Sequence, residues 1–345
     1  MGSPFISVRG RVILNVEALN MTESVGNYVK HRRVPVVISK GGEYLTLFVP
    51  AISGESVAHG YQALLAKAAE SRGLSVCDLC SKGIFLKSSN EKVLKKSFQK
   101  HFSKQGIKAT DIKTPYDLEK FIITGCVVED VGGFLYAPAG GGKKEIKVSQ
   151  AKRTSNFYTG YMIPVAEALE NAVIEPQLHS RYALGTEFVE RGEGGERAQG
   201  QMIYYVEVAS APYVFSFDLD TKYIGRITFD SAHAGELVVK ESERKERIAA
   251  ALEALKKLIL ELGFGAKKTR FLPTIEWESL AIAVSNDVWT VPTPFTADYI
   301  ERARKKMEAV SEGTKLYTYT REGNKALEEV LEEAIKDALN RLDKS

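Results

Sequence analysis

The stretch MIYYVEVASAPYVFSFDLD, residues 202–220, decides how this chain is read. Bulky β-formers alternate with small or polar residues along it, the period-2 pattern of strands with a buried face. Proline cannot donate a ladder hydrogen bond, so the stretch reads as two strands joined near Ala211 and Pro212. Working outward, SGESVAHGYQALLAKAAESRG (53–73) is a helix with Ser53 as N-cap, an apolar stripe at Val57, Tyr61, Leu64 and Ala68, and Gly73 as stop. On the far side, SERKERIAAALEALKKLILELG (242–263) is the clearest helix, with Ile248, Leu252, Leu255, Ile259 and Leu262 on one face and Gly263 ending it. FISVRGRVILNVEAL (5–19) is a first strand whose buried face is Ile6, Val8, Val12, Leu14 and Val16, and IEWESLAIAVS (275–285) is a last one. The core order is strand, helix, strand, strand, helix, strand. That is the α+β split βαβ or ferredoxin-like arrangement, which RNA-recognition modules share.

Other segments decorate this frame. YLTLFVPAI (44–52) is a further strand, and helices are expected from Ala297 and from about Asn324. The lysine-dense run from residue 74 to 125 reads as an inserted helical lobe. ALGTEFVERGEGGERAQG (183–200) holds five glycines and balanced charge, and reads as a flexible β-hairpin, since so few apolar groups cannot offset the entropy of ordering. With 345 residues, 44% apolar and 26% charged, the chain is of soluble globular type. No apolar run approaches a membrane span, and no signal-peptide apolar region opens the chain. Three cysteines without a disulfide framework suit a reducing cytoplasm. CDLC (77–80) has Cys-x-x-Cys spacing without a second pair or a histidine pair, so it reads as ordinary thiols and no metal is assigned.

Chemistry is sparse. APAGGGKKE (137–145) has Ala137 where a P-loop needs glycine and Lys144 where it needs a hydroxyl, so a nucleotide-fuelled enzyme is not supported and no cofactor is implied. Asp218 and Asp220 share a strand face but read as a polar strand end rather than a metal site. Of the five histidines, His179 in EPQLHSRYAL is the one placed to act as a general base, while His59 packs on the first helix. There is no nucleophile elbow.

The basic clusters say more, because a net charge of only +3 makes crowding informative. KHRR gathers Lys30, His31, Arg32 and Arg33 in one connector. KKEIKVSQAKR supplies Lys143, Lys144, Lys147, Lys152 and Arg153, and GFGAKKTRFLP supplies Lys267, Lys268 and Arg270 in a glycine-bearing loop. In a βαββαβ fold the loops after strand one and before strand four lie near each other, and a phosphate backbone could run between them. SGES at a helix start adds amides and a positive dipole end. The glycine-phenylalanine signature of a base-stacking RNA-recognition sheet is absent.

GNYVKHR, VPAISGESVAHGYQ, DVGGFLYA, GYMIPV, LHSRY, YYVEVASAPYVFSFDLD and FGAKKTRFLP, in that order, resemble the archaeal type I-A CRISPR Cascade backbone subunits, the DevR-like branch of the repeat-associated (RAMP) superfamily. The likeness runs to about Val284. It implies a hand-shaped protein with a modified RNA-recognition palm in three parts (1–73, 126–182 and 203–345), helical fingers (74–125) and a hairpin thumb (183–202). It implies a non-catalytic subunit that polymerises along a CRISPR guide RNA, kinks it, and leaves its bases to target DNA. The implied partners are that RNA, target DNA through it, further copies in a helical filament, and the other Cascade subunits: repeat endoribonuclease, handle-binding subunit, large and small subunits and helicase-nuclease. Carried onto this sequence, the RNA contacts fall on Asn27, Lys30, His31 and Arg32, on Ser53, Gly54 and Glu55, on His179, and on Lys267, Lys268 and Arg270. Arg33, Lys152 and Arg153 join them from the basic clusters. Met202 and Phe188 are candidates for the wedge at the RNA kink. The alternative is a RAMP-type endoribonuclease using His179 or the Asp218–Asp220 pair.

Overall fold

The structure, a computed structural model, describes residues 3–138, 145–180 and 203–343. The hairpin expected at 183–202, both wedge candidates Phe188 and Met202, and Lys143 and Lys144 lie outside the described residues. Strand β1 (Phe5–Glu17) is followed by the short strands β2 (Met21–Val25) and β3 (Tyr28–His31) and by a hairpin of β4 (Arg33–Lys40) and β5 (Glu43–Pro50). Next come α1 (Gly54–Ser71), α2 (Glu91–Ser97), α3 (Gln99–Gln105), α4 (Pro115–Gly125) and α5 (Val127–Gly132). Four strands follow: β6 (Phe134–Tyr136), β7 (Ala151–Arg153), β8 (Phe157–Thr159) and β9 (Val173–Ser180). The chain continues through β10 (Ile203–Asp220), α6 (Glu241–Leu260), β11 (Thr274–Ser285), α7 (Tyr299–Ala309), β12 (Lys315–Thr320) and α8 (Leu327–Asp343).

The fold is α+β, built on one mixed sheet. β1 lies between β10 and β11, antiparallel to both, and β12 closes the β11 side. Along its other edge β10 pairs antiparallel with β9 at one end and β8 at the other. Where β1 stops, β3 pairs parallel with β10 at Tyr205 and Val206. Residues 203–220 are therefore one continuous strand, not two, and the second strand of the middle pair is β9. Pro212 does not break the ladder. Its carbonyl accepts from Val165 N–H at 3.0 Å, on the edge away from β1, and a strand residue's N–H points to the same side as its carbonyl. The bond that proline cannot make is thus not one that β1 needs.

On one face, α1 and α6 pack over β1 and β10 in the main core, where Tyr61 lies edge-on to Phe157 and against Phe217. The two helices meet closely, since a Cβ at Gly60 would stand 2.3 Å from the Gly263 carbonyl oxygen. Gly263 lies just past α6, which stops at Leu260, and its N–H closes the end on the Leu258 carbonyl at 3.2 Å. On the opposite face Trp289, Val291, Tyr299 and Ile300 cover Ala281 and Ala283. The inserted helices are lysine-rich outside only, because Leu94, Phe98, Leu118, Phe121 and Ile122 join the main core. Among the described residues no helix is long and apolar enough to cross a membrane.

A fully buried ion network ties α4 and α5 to β7 and α6. Arg153 pairs with Asp130 at 2.6 Å and Glu119 at 3.1 Å, and Arg247 of α6 pairs with the other oxygen of Asp130 at 2.7 Å. The guanidinium of Arg153 also donates to the main-chain carbonyls of Tyr223 and Arg226. Such a set holds only when every charge is matched, which this one achieves with hydrogen bonds from Thr228, Phe229 and Gly225.

Candidate nucleic-acid interface

The site is built around Ala18, Leu19 and Asn20, the residues that leave β1. A bulge between Leu14 and Glu17 reverses the alternation of the strand. Val16, expected in the core, is 55% exposed at φ 57°, while Glu17 turns inward and is fully buried. Its carboxylate accepts from Leu19 N–H at 2.8 Å, Tyr213 O–H at 2.9 Å and the His31 ring at 2.6 Å. The other His31 ring nitrogen faces the Arg32 carbonyl oxygen at 2.9 Å. Both partners are acceptors, so both ring nitrogens carry protons. Burial alone would pull the His31 pKa down, but the hydrogen bond and charge of Glu17, with the Arg32 carbonyl, outweigh it and raise it.

The crowding in KHRR is thereby explained residue by residue. Lys30 pairs with Glu23 at 3.1 Å on the surface, His31 with buried Glu17, and Arg33 with nearly buried Glu207 at 3.2 Å. Glu207 also accepts from Tyr28 O–H and from His31 N–H. Arg32 instead donates to a neutral group, Asn20 Oδ1, at 2.9 Å. That same oxygen accepts from Ser53 N–H at 2.8 Å, and the Asn20 carbonyl accepts from Arg32 N–H at 3.0 Å. Asn20 thus locks the first-loop motif to the start of α1, where Ser53 caps the helix by accepting from Ser56 N–H. Gly54 is required there, since a Cβ would meet the Thr159 carbonyl oxygen at 2.8 Å. Glu55 is exposed on the first turn.

The final loop arrives at the same place. Ala266 N–H donates to the Leu19 carbonyl at 2.8 Å, and Gly265, at φ 90°, lies so close that a Cβ would touch the Leu19 side chain at 2.7 Å. Beyond it Lys267 stands at φ 54° and Arg270 is exposed, while the Lys268 ammonium is drawn back onto the Leu262 carbonyl and its pKa is lowered by burial. His179 joins from β9: its ring stacks on Tyr204 and meets Phe271 edge-on, each at 5.2 Å. Asn27 braces the β2–β3 turn, its side chain donating to the Ile203 carbonyl at 2.9 Å.

In front of the α1 N-terminus lies a cleft of about 540 Å³ lined by Ser53, Gly54, Glu55, Tyr158 and Tyr161 among others, with both tyrosines about half exposed. Ser155 and Tyr158 form the wall it shares with a second cleft of about 590 Å³, which Lys152 lines. Arg153, next in sequence, points the other way into the buried ion network. Two expected contact residues therefore need correction. The His31 and Arg153 side chains are 0% exposed, and each is consumed by buried carboxylates. Both support the site from beneath. Asp218, expected as a polar strand end, is nearly buried and held on both oxygens by Arg9, at 2.7 and 2.9 Å. His59, expected to pack on the first helix, meets Phe85 edge-on but stays exposed.

Sequence reasoning missed Asn20, Glu17 and Glu207. Glu207 sits in an apolar alternation and could have been noticed as a carboxylate on a buried strand. Asn20 and Glu17 carry no such signal, because a bulge sets their direction.

The sequence matches the family "CRISPR-associated negative auto-regulator DevR/Csa2" over residues 8–304. The chain belongs to the DevR/Csa2 family. A Saccharolobus solfataricus protein described as CRISPR-associated protein Cas7/Csa2 1 is 37% identical over 296 residues, covering 85% of this chain and 83% of that one. A second protein from the same organism, CRISPR-associated aCascade subunit Cas7/Csa2 2, is 36% identical over 299 residues, with 86% and 84% covered. Among solved structures, a chain of a CRISPR RNA-guided surveillance complex aligns over 98% of this chain and 99% of its own, at 9% identity and a TM-score of 0.46.

Proposed function

We propose that this DevR/Csa2-family chain is a non-catalytic, guide-RNA-binding backbone subunit of a type I-A Cascade complex, polymerising along the RNA and presenting its bases to target DNA. The observation that carries the reading is the convergence on Leu19 and Asn20. Three motifs far apart in sequence, carrying Arg32, the amides of the α1 N-terminus, and Lys267 with Arg270, are stitched to those two residues by main-chain and amide hydrogen bonds. Each is of a type that takes phosphate: guanidinium, helix-start amides and a glycine-bearing basic loop. Lys30, Arg33, Asn27 and His179 flank this line, and Lys152 extends it past Tyr158. Phosphate contacts hold and orient a strand without reading its sequence, which suits a subunit whose specificity resides in the guide.

In this reading the four-strand order β11–β1–β10–β9 with α1 and α6 on one face is the RNA-recognition palm and the α2–α4 region is the fingers, while the thumb expected at 183–202 lies outside the described residues. The neighbours to be expected are further copies of the chain and the remaining Cascade subunits, in the cytoplasm. The endoribonuclease alternative asks for groups that are clamped or shut away, since Asp218 is held by Arg9 and the His179 ring lies between Tyr204 and Phe271 with its Nε2 buried. The test is isolation from cells with nucleases inhibited, followed by extraction of nucleic acid. RNA of discrete length in large assemblies is the expected result, and repeat RNA incubated with the protein stays intact with or without magnesium. A protein free of RNA that also fails to bind added guide, or cleavage that disappears in His179→Ala, would overturn the proposal.

A further inference from the structure

The Cys77–Cys80 pair and the distant Cys126 meet at one point in the interior. Cys77 and Cys80 precede α2, Cys126 immediately precedes α5, and Glu129 lies on α5; one donor atom from each lies within 4.8 Å of every other. All four side chains are buried, Cys126 and Glu129 completely. Cys77 Sγ points at Glu129 Oε1 at 3.7 Å, whereas Glu129 Oε2 is buried with no hydrogen-bond partner. An orphaned carboxylate oxygen in a protein interior is costly and calls for an explanation. Close packing of thiols supplies none, because it leaves the carboxylate with only the buried Ser88 hydroxyl beside it, itself without a hydrogen-bond partner.

A cation supplies one. Three sulfurs and one carboxylate oxygen at four corners form a complete donor set for a tetrahedral divalent ion of borderline softness, and thiolate-rich sites favour zinc over magnesium or calcium. Zinc–sulfur bonds of about 2.3 Å place tetrahedral sulfurs about 3.8 Å apart, so the observed spread closes with small side-chain rotations. The local backbone is shaped for this. Ser81 N–H donates to the Cys77 carbonyl and Gly83, at φ 72°, returns its N–H to Cys80, folding the Cys-x-x-Cys segment into a tight turn. The excess negative charge of three thiolates and a carboxylate around a dication faces half-buried Lys87, whose ammonium is anchored on the Gly132 carbonyl at 2.6 Å.

We propose that Cys77, Cys80, Cys126 and Glu129 bind one structural zinc ion. Its position gives it a purpose. The helical insertion leaves the body just before Cys77 and rejoins it at Cys126, where Val127 N–H bonds the Ser75 carbonyl at 2.9 Å. One ion there pins both ends of the insertion at its root. Cys-x-x-Cys alone did not suggest this, because the third and fourth ligands lie far along the chain and the fourth is a glutamate.

The test uses the full chain, freed of nucleic acid and kept reduced. Elemental analysis should find about one zinc per chain. Replacement by cobalt should give the near-ultraviolet thiolate-to-cobalt charge-transfer band and the strong visible bands of a tetrahedral site. Cys77→Ser with Cys80→Ser should abolish zinc binding and lower Tm, and Glu129→Gln should keep the charge-transfer band while weakening zinc retention against a chelator. Wild-type protein that takes up neither metal, cobalt bound without thiolate bands, or a native Cys77–Cys80 disulfide would each overturn the proposal. The wild-type spectrum decides the matter even where a cysteine variant fails to fold.

Discussion

Glu17 and His31 illustrate what one residue can decide. The imidazole is held doubly protonated between a carboxylate and a carbonyl, with its folded pKa above the unfolded value of about 6.5. A raised cationic pKa stabilises the fold fully below the unfolded pKa, and that contribution is lost as pH climbs through the folded one. Wild-type Tm should therefore exceed that of His31→Gln by most at about pH 6. The gap should narrow as pH rises through the folded pKa, as thermal melts across that range would show. Arg153 makes a harsher case. Arg153→Ala leaves Glu119 short of a cation and removes one of two from Asp130 in a dry interior, and should cost about 3–5 kcal/mol in denaturant unfolding. Neither role was legible in the sequence, where both residues stood among surface cations. Charge type can be read from a sequence, but a buried partner cannot, because it is brought by a strand bulge or a distant helix.

The elements were more legible than the residues. Both long helices, the first strand and the last one stand where hydrophobic periodicity put them, since periodicity records burial directly. The errors fell where a local rule met a tertiary exception. Pro212 argued for a break, but its missing donor faces the edge where β1 is absent. The run after KHRR proved to be half of the β4–β5 hairpin, which pairs from Arg33–Pro50 to Lys40–Glu43 around Gly41 and Gly42. Both faces of that hairpin are apolar: Val34, Val36, Ile38, Leu45, Leu47 and Val49 on one, Pro35, Val37 and Phe48 with Tyr44 on the other. Tyr44 is 81% and Phe48 72% exposed. Exposed apolar strands of this kind suit a protein partner, and the proposed filament supplies one in the next copy. Tyr44→Ser with Phe48→Ser should change monomer stability by no more than about 0.5 kcal/mol yet shrink guide-bound assemblies, as light scattering would register. Assemblies of unchanged size would remove the hairpin from the contact.

At the scale of the whole molecule, a net charge of +3 and three cationic clusters are compatible because 44 acidic residues offset 47 Lys and Arg, and within the clusters Lys30, His31, Arg33 and Arg153 pair with carboxylates. The sequence displayed the clusters and their nearness in a βαββαβ frame. It did not display which members remain available, and the structure divides them: His31 and Arg153 inward, Lys268 onto a carbonyl, and Arg32, Lys152, Lys267 and Arg270 toward the proposed path. A filament multiplies a few such contacts along one strand, so no single subunit needs a large positive field. The measurement that tests this most directly is guide-RNA affinity across a salt series, for the wild type and for Arg32→Ala with Arg270→Ala. The account predicts a log–log slope of about −0.7 for each phosphate neutralised on a single strand. The folded double variant should bind more weakly and lose about 1.4 from that slope, one increment for each arginine. Affinity and slope unchanged in the double variant would contradict the claim that these loops converge to hold RNA.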